Sequence, residues 1–112
     1  MEIDEAKSDK KDNMNKGGYI YIMTNKYKTT LYIGVTNDLR RRVWEHRIHY
    51  VKNSFTDKYN LEFCIYYECF PTIEQAINRE TEIKKWNRNK KENLIVAFNP
   101  DWSDLWDDVL GY

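Results

Sequence analysis

Two short runs of β-branched and aromatic residues near the start of the chain constrain its fold more than any other feature. The first, YIYIMT, occupies residues 19–24, and the second, LYIGVT, occupies residues 31–36. Residues of these types favour strands, and the intervening NKYKTT is typical of a turn. The sequence therefore predicts a β-hairpin with a loop of about six residues.

One more strand and three helices are predicted beyond the hairpin. The period-two alternation of LEFCIYYEC indicates a strand over residues 61–69. Capping signals and apolar periodicity place helices over residues 38–50, 73–87 and 89–98. The resulting order, β-β-α-β-α-α, predicts an α/β or α+β domain in which helices pack on one small antiparallel or mixed sheet.

The two ends of the chain differ in character from its centre. The net charge is zero overall, but residues 17–98 hold 14 basic and 9 acidic residues, a net charge of +5. A basic centre suggests a polyanionic partner, although a solvated charged surface explains it equally well. Residues 1–16 are polar and aperiodic and are expected to be a disordered tail. The acidic, Trp-containing residues 100–112 are expected to pack back on the domain.

The sequence carries no membrane signal. No apolar run approaches the ~20 residues that span a bilayer, and the N-terminus lacks the apolar region of a secretory signal. We therefore expect a cytoplasmic protein with no membrane partner.

One carboxylate interrupts the apolar face of the helix predicted over residues 73–87. At roughly 100° per residue, Glu80 falls near the middle of that face. The apolar residues of the face are Ile73, Ala76, Ile77 and Ile83. Burying an unpaired carboxylate costs several kcal/mol. Glu80 is therefore expected to form a structural ion pair, to bind a metal ion or to lie at the lip of a cleft.

The helix predicted over residues 38–50 carries a cationic face. Arg42, His46 and His49 follow one another at i, i+4 and i+7, so their side chains share one side. Arginine forms bidentate hydrogen bonds with phosphate, and histidine can relay protons near neutral pH. This face suits contact with an anion, and the alternative is a solvated basic helix with Glu45 as an ionic partner.

Two tyrosines occupy the predicted hairpin. Tyr21 and Tyr32 are 11 residues apart on paired strands, so they are expected to lie near one another across the sheet. Strand tyrosines are usually packing residues, and a tyrosine accepts a proton only where cations lower its pKa from ~10. Gly34 would keep the nearby backbone free of a side chain that blocks such a site.

Five of these features occur together in one known family. YIY at residues 19–21, YIG at residues 32–34, Arg42, His46 and Glu80 resemble the motifs of the GIY-YIG nucleases. The likeness covers residues 17–99 and is closest to small single-domain bacterial proteins similar to the nuclease subunit of excision repair. It implies a three-stranded antiparallel sheet flanked by helices. It also implies cleavage of DNA phosphodiester bonds with a single divalent ion, Mg²⁺ or Mn²⁺.

The resemblance also implies roles for individual residues. Arg42 would neutralise charge on the scissile phosphate, and Glu80 would bind the metal ion. The remaining catalytic candidates are Tyr21, Tyr32, His46 and, at less regular spacing, Asn99. Val35 stands where excision-repair relatives have a basic residue, so the activity is expected to be slow or to need a partner.

Basic residues outside that set are expected to contact neighbouring phosphates. They are Arg40, Arg41, Arg47, Lys84, Lys85 and Arg88. Phosphate contacts carry no sequence information, so we expect low specificity or a preference for DNA structure, such as branched or damaged DNA, in repair or processing. No small-molecule cofactor is expected. The alternatives are a nucleic-acid-binding module with a weak or inactive site and a protein that docks through its acidic tail.

Overall fold

The computed structural model describes residues 3–4 and 17–112. Its strands are β1 (Ile3–Asp4), β2 (Gly18–Thr24), β3 (Leu31–Thr36) and β4 (Phe63–Phe70). Its helices are α1 (Leu39–Arg47), α2 (Phe55–Lys58), α3 (Ile73–Lys84), α4 (Arg88–Phe98) and α5 (Trp106–Val109).

The strands form one sheet in the order β1-β3-β2-β4. The centre of the sheet is β2, which pairs antiparallel with β3 on one side and with β4 on the other. This confirms the predicted α+β domain with a three-stranded antiparallel sheet and flanking helices. The two-residue β1, which was not predicted, pairs parallel with β3 at its outer edge. The rest of the tail predicted to be disordered lies outside the described residues.

The hairpin between β2 and β3 has the predicted length. Thr24 pairs with Leu31, so residues 25–30 form a six-residue loop. The Asn25 side chain stabilises the loop, because its Oδ1 accepts hydrogen bonds from the backbone amides of Thr29 and Thr30 at 2.9 and 3.3 Å. This register places Tyr21 directly opposite Gly34.

Alternate residues of β2 point to two different layers of the protein. Ile20 and Ile22 belong to the core beneath α3, together with Ala76 and Ile83. Tyr21 belongs to the core on the other face of the sheet, which includes Leu39 and Val43 of α1. The sheet therefore separates α3 from α1.

Two predicted helices end earlier than the periodicity suggested. Helix α1 ends at Arg47 because His49 adopts a left-handed backbone with a φ of 57°, and α3 ends at Lys84. Two short helices, α2 and α5, were not predicted at all. Across residues 3–4 and 17–112, no helix has the length and apolar character needed to cross a membrane.

The C-terminal segment runs along the start of β4. The amide of Leu105 donates to the carbonyl of Cys64 at 2.8 Å, and Oδ1 of Asp104 accepts from the amide of Cys64 at 3.3 Å. Val109 is fully buried in the same core as Tyr21. The segment therefore lies on the α1 side of the sheet.

Candidate active site

The side chain of Tyr21 lies over the backbone of Gly34. A Cβ atom at residue 34 would lie 2.4 Å from Cζ and Oη of Tyr21, a distance that carbon atoms do not tolerate. Gly34 has no positive φ, so close approach explains the glycine and conformational freedom does not. The absence of a side chain at residue 34 allows the phenol to pass over the strand toward α1.

His46 of α1 receives that phenol and links it to a threonine. The Tyr21 hydroxyl lies 2.9 Å from Nε2 of His46, and Oγ1 of Thr56 lies 2.9 Å from Nδ1 of the same ring. All three side chains are buried. Each imidazole nitrogen therefore has a hydroxyl partner, which fixes the orientation of the ring.

Thr56 is a residue that the sequence analysis missed. It lies in the four-residue helix α2, whose N-cap is Ser54. The Ser54 hydroxyl accepts a hydrogen bond from the amide of Asp57 at 3.2 Å. The S-x-x-D spacing was the available signal for this helix start, although a single helical turn is too short to show periodicity.

Tyr32 packs beside Tyr21 and His46, closer to the protein surface. Its ring centroid is 6.2 Å from that of Tyr21 and 5.6 Å from that of His46, which it meets edge to face. Tyr32 is partly exposed, whereas Tyr21 is fully buried. The structure therefore brings the two predicted tyrosines to one face of the hairpin with unequal access to solvent.

Arg42 lies beside His46 in a small cavity. Its side chain is buried, and its Nε lies 3.6 Å from Oε1 of Glu45. Arg42, His46 and Thr56 are among the residues that line a cavity of about 10 Å³. That volume suits roughly one water molecule. A buried guanidinium thus lies next to the hydrogen-bonded histidine.

Glu80 is buried on α3, on the helix face that packs against Ile20 and Ile22. It is fully inaccessible, and Nζ of Lys84, one helical turn away, lies 2.9 Å from its Oε2. Within the described part of the chain, neither carboxylate oxygen has a partner with good hydrogen-bond geometry. The described contacts do not join Glu80 to the Tyr21–His46 pair, so its role in the site stays a prediction.

Asn99 is engaged elsewhere. Its side-chain amide donates to the carbonyls of Ile65 and Ser103 at 3.0 and 2.8 Å. Its Oδ1 accepts from the amide and the hydroxyl of Ser103 at 3.2 and 3.1 Å. These bonds attach the end of α4 to β4 and to the C-terminal segment, and they do not bring Asn99 to His46.

Two of the three basic residues predicted to bind DNA on α1 contact acidic groups of the protein itself. Arg47 pairs with Asp104 of the C-terminal segment at 2.6 Å, and its guanidinium lies 4.9 Å from the Trp106 ring. Arg41 forms ion pairs with Asp38 and Glu45. The exposed Arg40 donates to the carbonyl of Leu110 at 3.4 Å.

The basic residues predicted to bind DNA beyond α1 differ from one another in their contacts. Lys84 is the partner of Glu80, and Lys85 is exposed. Arg88 pairs with Glu92 at 2.8 Å and donates to the carbonyls of Thr29 and Lys28 in the hairpin loop.

His49 is held between two carboxylates next to the cavity. Its Nδ1 lies 2.8 Å from Asp57 and its Nε2 lies 2.5 Å from Glu62. The hydrogen bond with Glu62, and then that with Asp57, raises the pKa of His49 above 6.5. The pKa of Asp57 is lowered, first by a hydrogen bond from the amide of Asn53 and then by His49. This arrangement attaches α2 to the end of α1.

The family model of the GIY-YIG catalytic domain matches residues 17–93. The chain belongs to the GIY-YIG family. Membership implies nuclease activity and a DNA substrate, and GIY-YIG nucleases generally use divalent metal ions.

Several GIY-YIG relatives carry the name UPF0213 protein. One from Haloquadratum walsbyi is 36% identical over 72% of this chain and 89% of its own length. One from Bacillus pumilus is 30% identical over 73% of this chain and 83% of its own length. One from Staphylococcus saprophyticus is 36% identical over 69% of this chain and 92% of its own length. These names state no activity. No solved structure matches the chain.

The donor set of this GIY-YIG domain limits how a metal ion could bind. Among residues 17–112, no group of three or more His, Cys, Asp or Glu side chains is arranged to hold a metal. Mg²⁺ needs fewer protein ligands than three, because it keeps several bound waters and is usually held by one or two carboxylates. The two oxygens of Glu80 lack good hydrogen-bond partners in the described structure and suit such a hard cation.

Proposed function

We propose that this protein is a divalent-metal-dependent endonuclease that hydrolyses DNA phosphodiester bonds. The observation that carries the proposal is the hydrogen-bonded chain of Tyr21, His46 and Thr56 behind the accessible Tyr32. General acid–base chemistry needs a group at the surface and a partner that can accept or return its proton. Side chains that served only to pack this core would not need three polar groups hydrogen-bonded in series between β2, α1 and α2.

Tyr32 is the phenol placed to meet the attacking water. It is partly exposed, whereas the hydroxyl of Tyr21 is buried and engaged with His46. In this assignment Tyr32 orders the water or takes its proton. His46, whose ring contacts Tyr32 edge to face, would act as the relay along its own hydrogen bonds with Tyr21 and Thr56. Tyr21 is a positioning residue that holds the imidazole ring.

Arg42 would stabilise the negative charge that develops on the phosphate. Its guanidinium is buried, so its field is screened less than that of a surface arginine. The neighbouring Glu45 holds the side chain in place at 3.6 Å. A planar donor of this kind matches two phosphate oxygens at once.

Glu80 would hold the single Mg²⁺ or Mn²⁺ ion, which requires its carboxylate, buried with α3 on the far side of the sheet from α1, to become accessible to DNA. When bound, such an ion acts as a Lewis acid on the phosphate. Lys84 would have to release Oε2 of Glu80 for this purpose, and its side chain is 37% exposed. The carboxylate is otherwise a costly group to retain in the α3 core.

The basic residues outside the catalytic set would contact phosphates on either side of the scissile bond. Such contacts set the position of DNA and do not read its sequence. The enzyme is accordingly proposed to prefer branched or damaged DNA, or to cleave DNA with low specificity. It would act in the cytoplasm, in DNA repair or processing.

A gel assay on nicked, flapped, forked and plain duplex DNA, with and without Mn²⁺, tests the proposal. We expect cleavage that requires the metal ion and that Arg42→Ala and Glu80→Ala each reduce by roughly 10²-fold or more. Glu74→Ala, an exposed glutamate on the same helix as Glu80, is the matched control. Full cleavage by both site variants would overturn the assignment.

A nucleic-acid-binding module that no longer cuts is the second candidate. The observation that favours it is the position of Glu80, buried in the α3 layer with Lys84 at 2.9 Å. This candidate predicts DNA binding that weakens steeply with salt, together with no metal-dependent cleavage.

A further inference from the structure

Helix α2 and the residue that follows it expose aromatic side chains, whereas the helix buries a threonine. Phe55 is 46% exposed and Tyr59 is 52% exposed, whereas Thr56 is buried against His46. A helix that served only the core would turn its phenylalanine inward, because burial of that apolar ring stabilises the fold. The orientation of α2 therefore calls for a reason outside the core.

The exposed rings continue the site outward. The centroids of Tyr32 and Phe55 are 6.1 Å apart with an interplanar angle of 30°, and those of Phe55 and Tyr59 are 4.8 Å apart. Tyr32, Phe55 and Tyr59 thus form an aromatic row that begins beside His46 and ends at the surface. We call these three residues the aromatic row.

The charges around the aromatic row suit a polyanion. Lys52 and Lys58 are exposed in the same segment. The nearby carboxylates of Asp57 and Glu62 are engaged with His49. Exposed π faces with lysines beside them are the features by which proteins bind unpaired nucleotides without reading sequence.

We infer that the aromatic row is a stacking surface for an unpaired nucleobase next to the scissile phosphate. This inference rests on the proposed function and narrows its substrate class to DNA with single-stranded character, such as a flap or a frayed junction. In a fully paired duplex the bases are stacked on one another, so the row would have no base to bind.

The inference is tested by metal-free binding at low salt, with EDTA present so that cleavage plays no part. The probes are a fluorescently labelled single-stranded oligonucleotide, a 5′ flap and a plain duplex of the same sequence. We expect Phe55→Ala and Tyr59→Ala each to weaken binding of the single strand and flap roughly tenfold, and duplex binding by less than twofold. Phe55→Leu keeps apolar bulk without a π face, so it should weaken binding nearly as much as Phe55→Ala.

Tyr27→Ala is the matched control, because Tyr27 is 74% exposed in the hairpin loop and is not part of the aromatic row. Unchanged binding by Phe55→Ala, or an equal loss on duplex and single strand, would overturn the inference. Selective binding without metal-dependent cleavage would overturn the endonuclease assignment and leave the aromatic row intact. If Phe55→Ala cleaves flaps with the wild-type rate and affinity, the inference about the aromatic row is overturned and the endonuclease assignment stands. Failure of the wild-type protein to bind any DNA would overturn both the inference and the assignment.

Discussion

The hydroxyl of Tyr21 lies 2.9 Å from Nε2 of His46, although 25 residues separate them in the chain. The hydrogen bond joins the central strand to α1 across the layer in which Arg42 is buried. Tyr21 has no access to solvent, whereas Tyr32 is partly exposed.

The two tyrosines are expected to respond differently to loss of the hydroxyl. Tyr32→Phe should lower kcat by about 10²-fold or more, since it removes the group placed at the water. Tyr21→Phe should lower kcat by roughly tenfold, since it removes one hydrogen bond that positions His46. Single-turnover cleavage of a flap substrate measures both, with Tyr27→Phe as the exposed control. A larger loss for Tyr21→Phe than for Tyr32→Phe would reverse the assignment.

Thr56 is expected to act through His46. A hydroxyl can donate or accept, so it can follow the imidazole when the proton moves between its nitrogens. Thr56→Val keeps the shape and removes that partner, so we expect a lower kcat, an unchanged KM and a shifted acidic limb of the pH–rate profile. Thr56→Ser should restore most of the rate. Equal behaviour of the Val and Ser variants would indicate a packing role instead.

Glu80 provides a test in which stability and activity move in opposite directions. Glu80→Leu should abolish metal-dependent cleavage. It should leave the free energy of unfolding unchanged or raise it by ~1 kcal/mol or more, because an apolar side chain often stabilises a core as well as a buried ion pair does, or better. Urea unfolding and the gel assay measure the two effects, and Glu80→Gln is the near-isosteric comparison. If both variants unfold several kcal/mol more easily, the Glu80–Lys84 pair is a structural element of α3.

The C-terminal segment is expected to compete with DNA for α1. Asp104→Asn removes the charge that pairs with Arg47 and keeps the oxygen that accepts from Cys64. DNA binding should tighten severalfold at low salt, and the slope of log affinity against log salt should steepen by up to about one. Asp107→Asn, exposed in the same segment, makes the same change in net charge. An equal effect from Asp107→Asn would assign the change to overall charge.

The contribution that His49, bound to Asp57 and Glu62, makes to stability is expected to depend on pH. Because the pKa of His49 is raised in the folded protein, its contribution to stability is complete below about pH 6.5 and is lost as pH rises through the folded pKa. The lowered pKa of Asp57 acts at the other end, where its contribution is lost as pH falls below its ordinary value of 3.8. The Tm difference between wild type and His49→Asn should therefore be largest near pH 5.5 and narrow toward pH 8.5. Asparagine tolerates the left-handed backbone at residue 49. A constant difference would show that His49 does not titrate in that range.

The strands could be predicted because their signal is local. Strand-forming residue types and a polar loop of six residues were enough to predict that Tyr21 and Tyr32 lie near one another across the hairpin. Helix α2 could not be predicted in the same way, because four residues cover barely one turn and its role depends on the distant His46.

The partners of charged residues were the least predictable part of the site. Helical geometry correctly placed Glu80 in the buried face of α3, and Lys84 at i+4 was readable as its neighbour. The contact between Arg47 and Asp104 spans 57 residues and depends on how the C-terminal segment folds back. No property of α1 alone indicates it.

A Cβ atom at residue 34 would lie 2.4 Å from the ring of Tyr21, and this contact links two positions of the family signature on neighbouring strands. A side chain at residue 34 has no room while a six-membered ring occupies residue 21, so residue 34 can change only after residue 21 has become smaller. An engineer who wishes to replace that glycine must first remove the ring, and would then lose the anchor of His46 along with it.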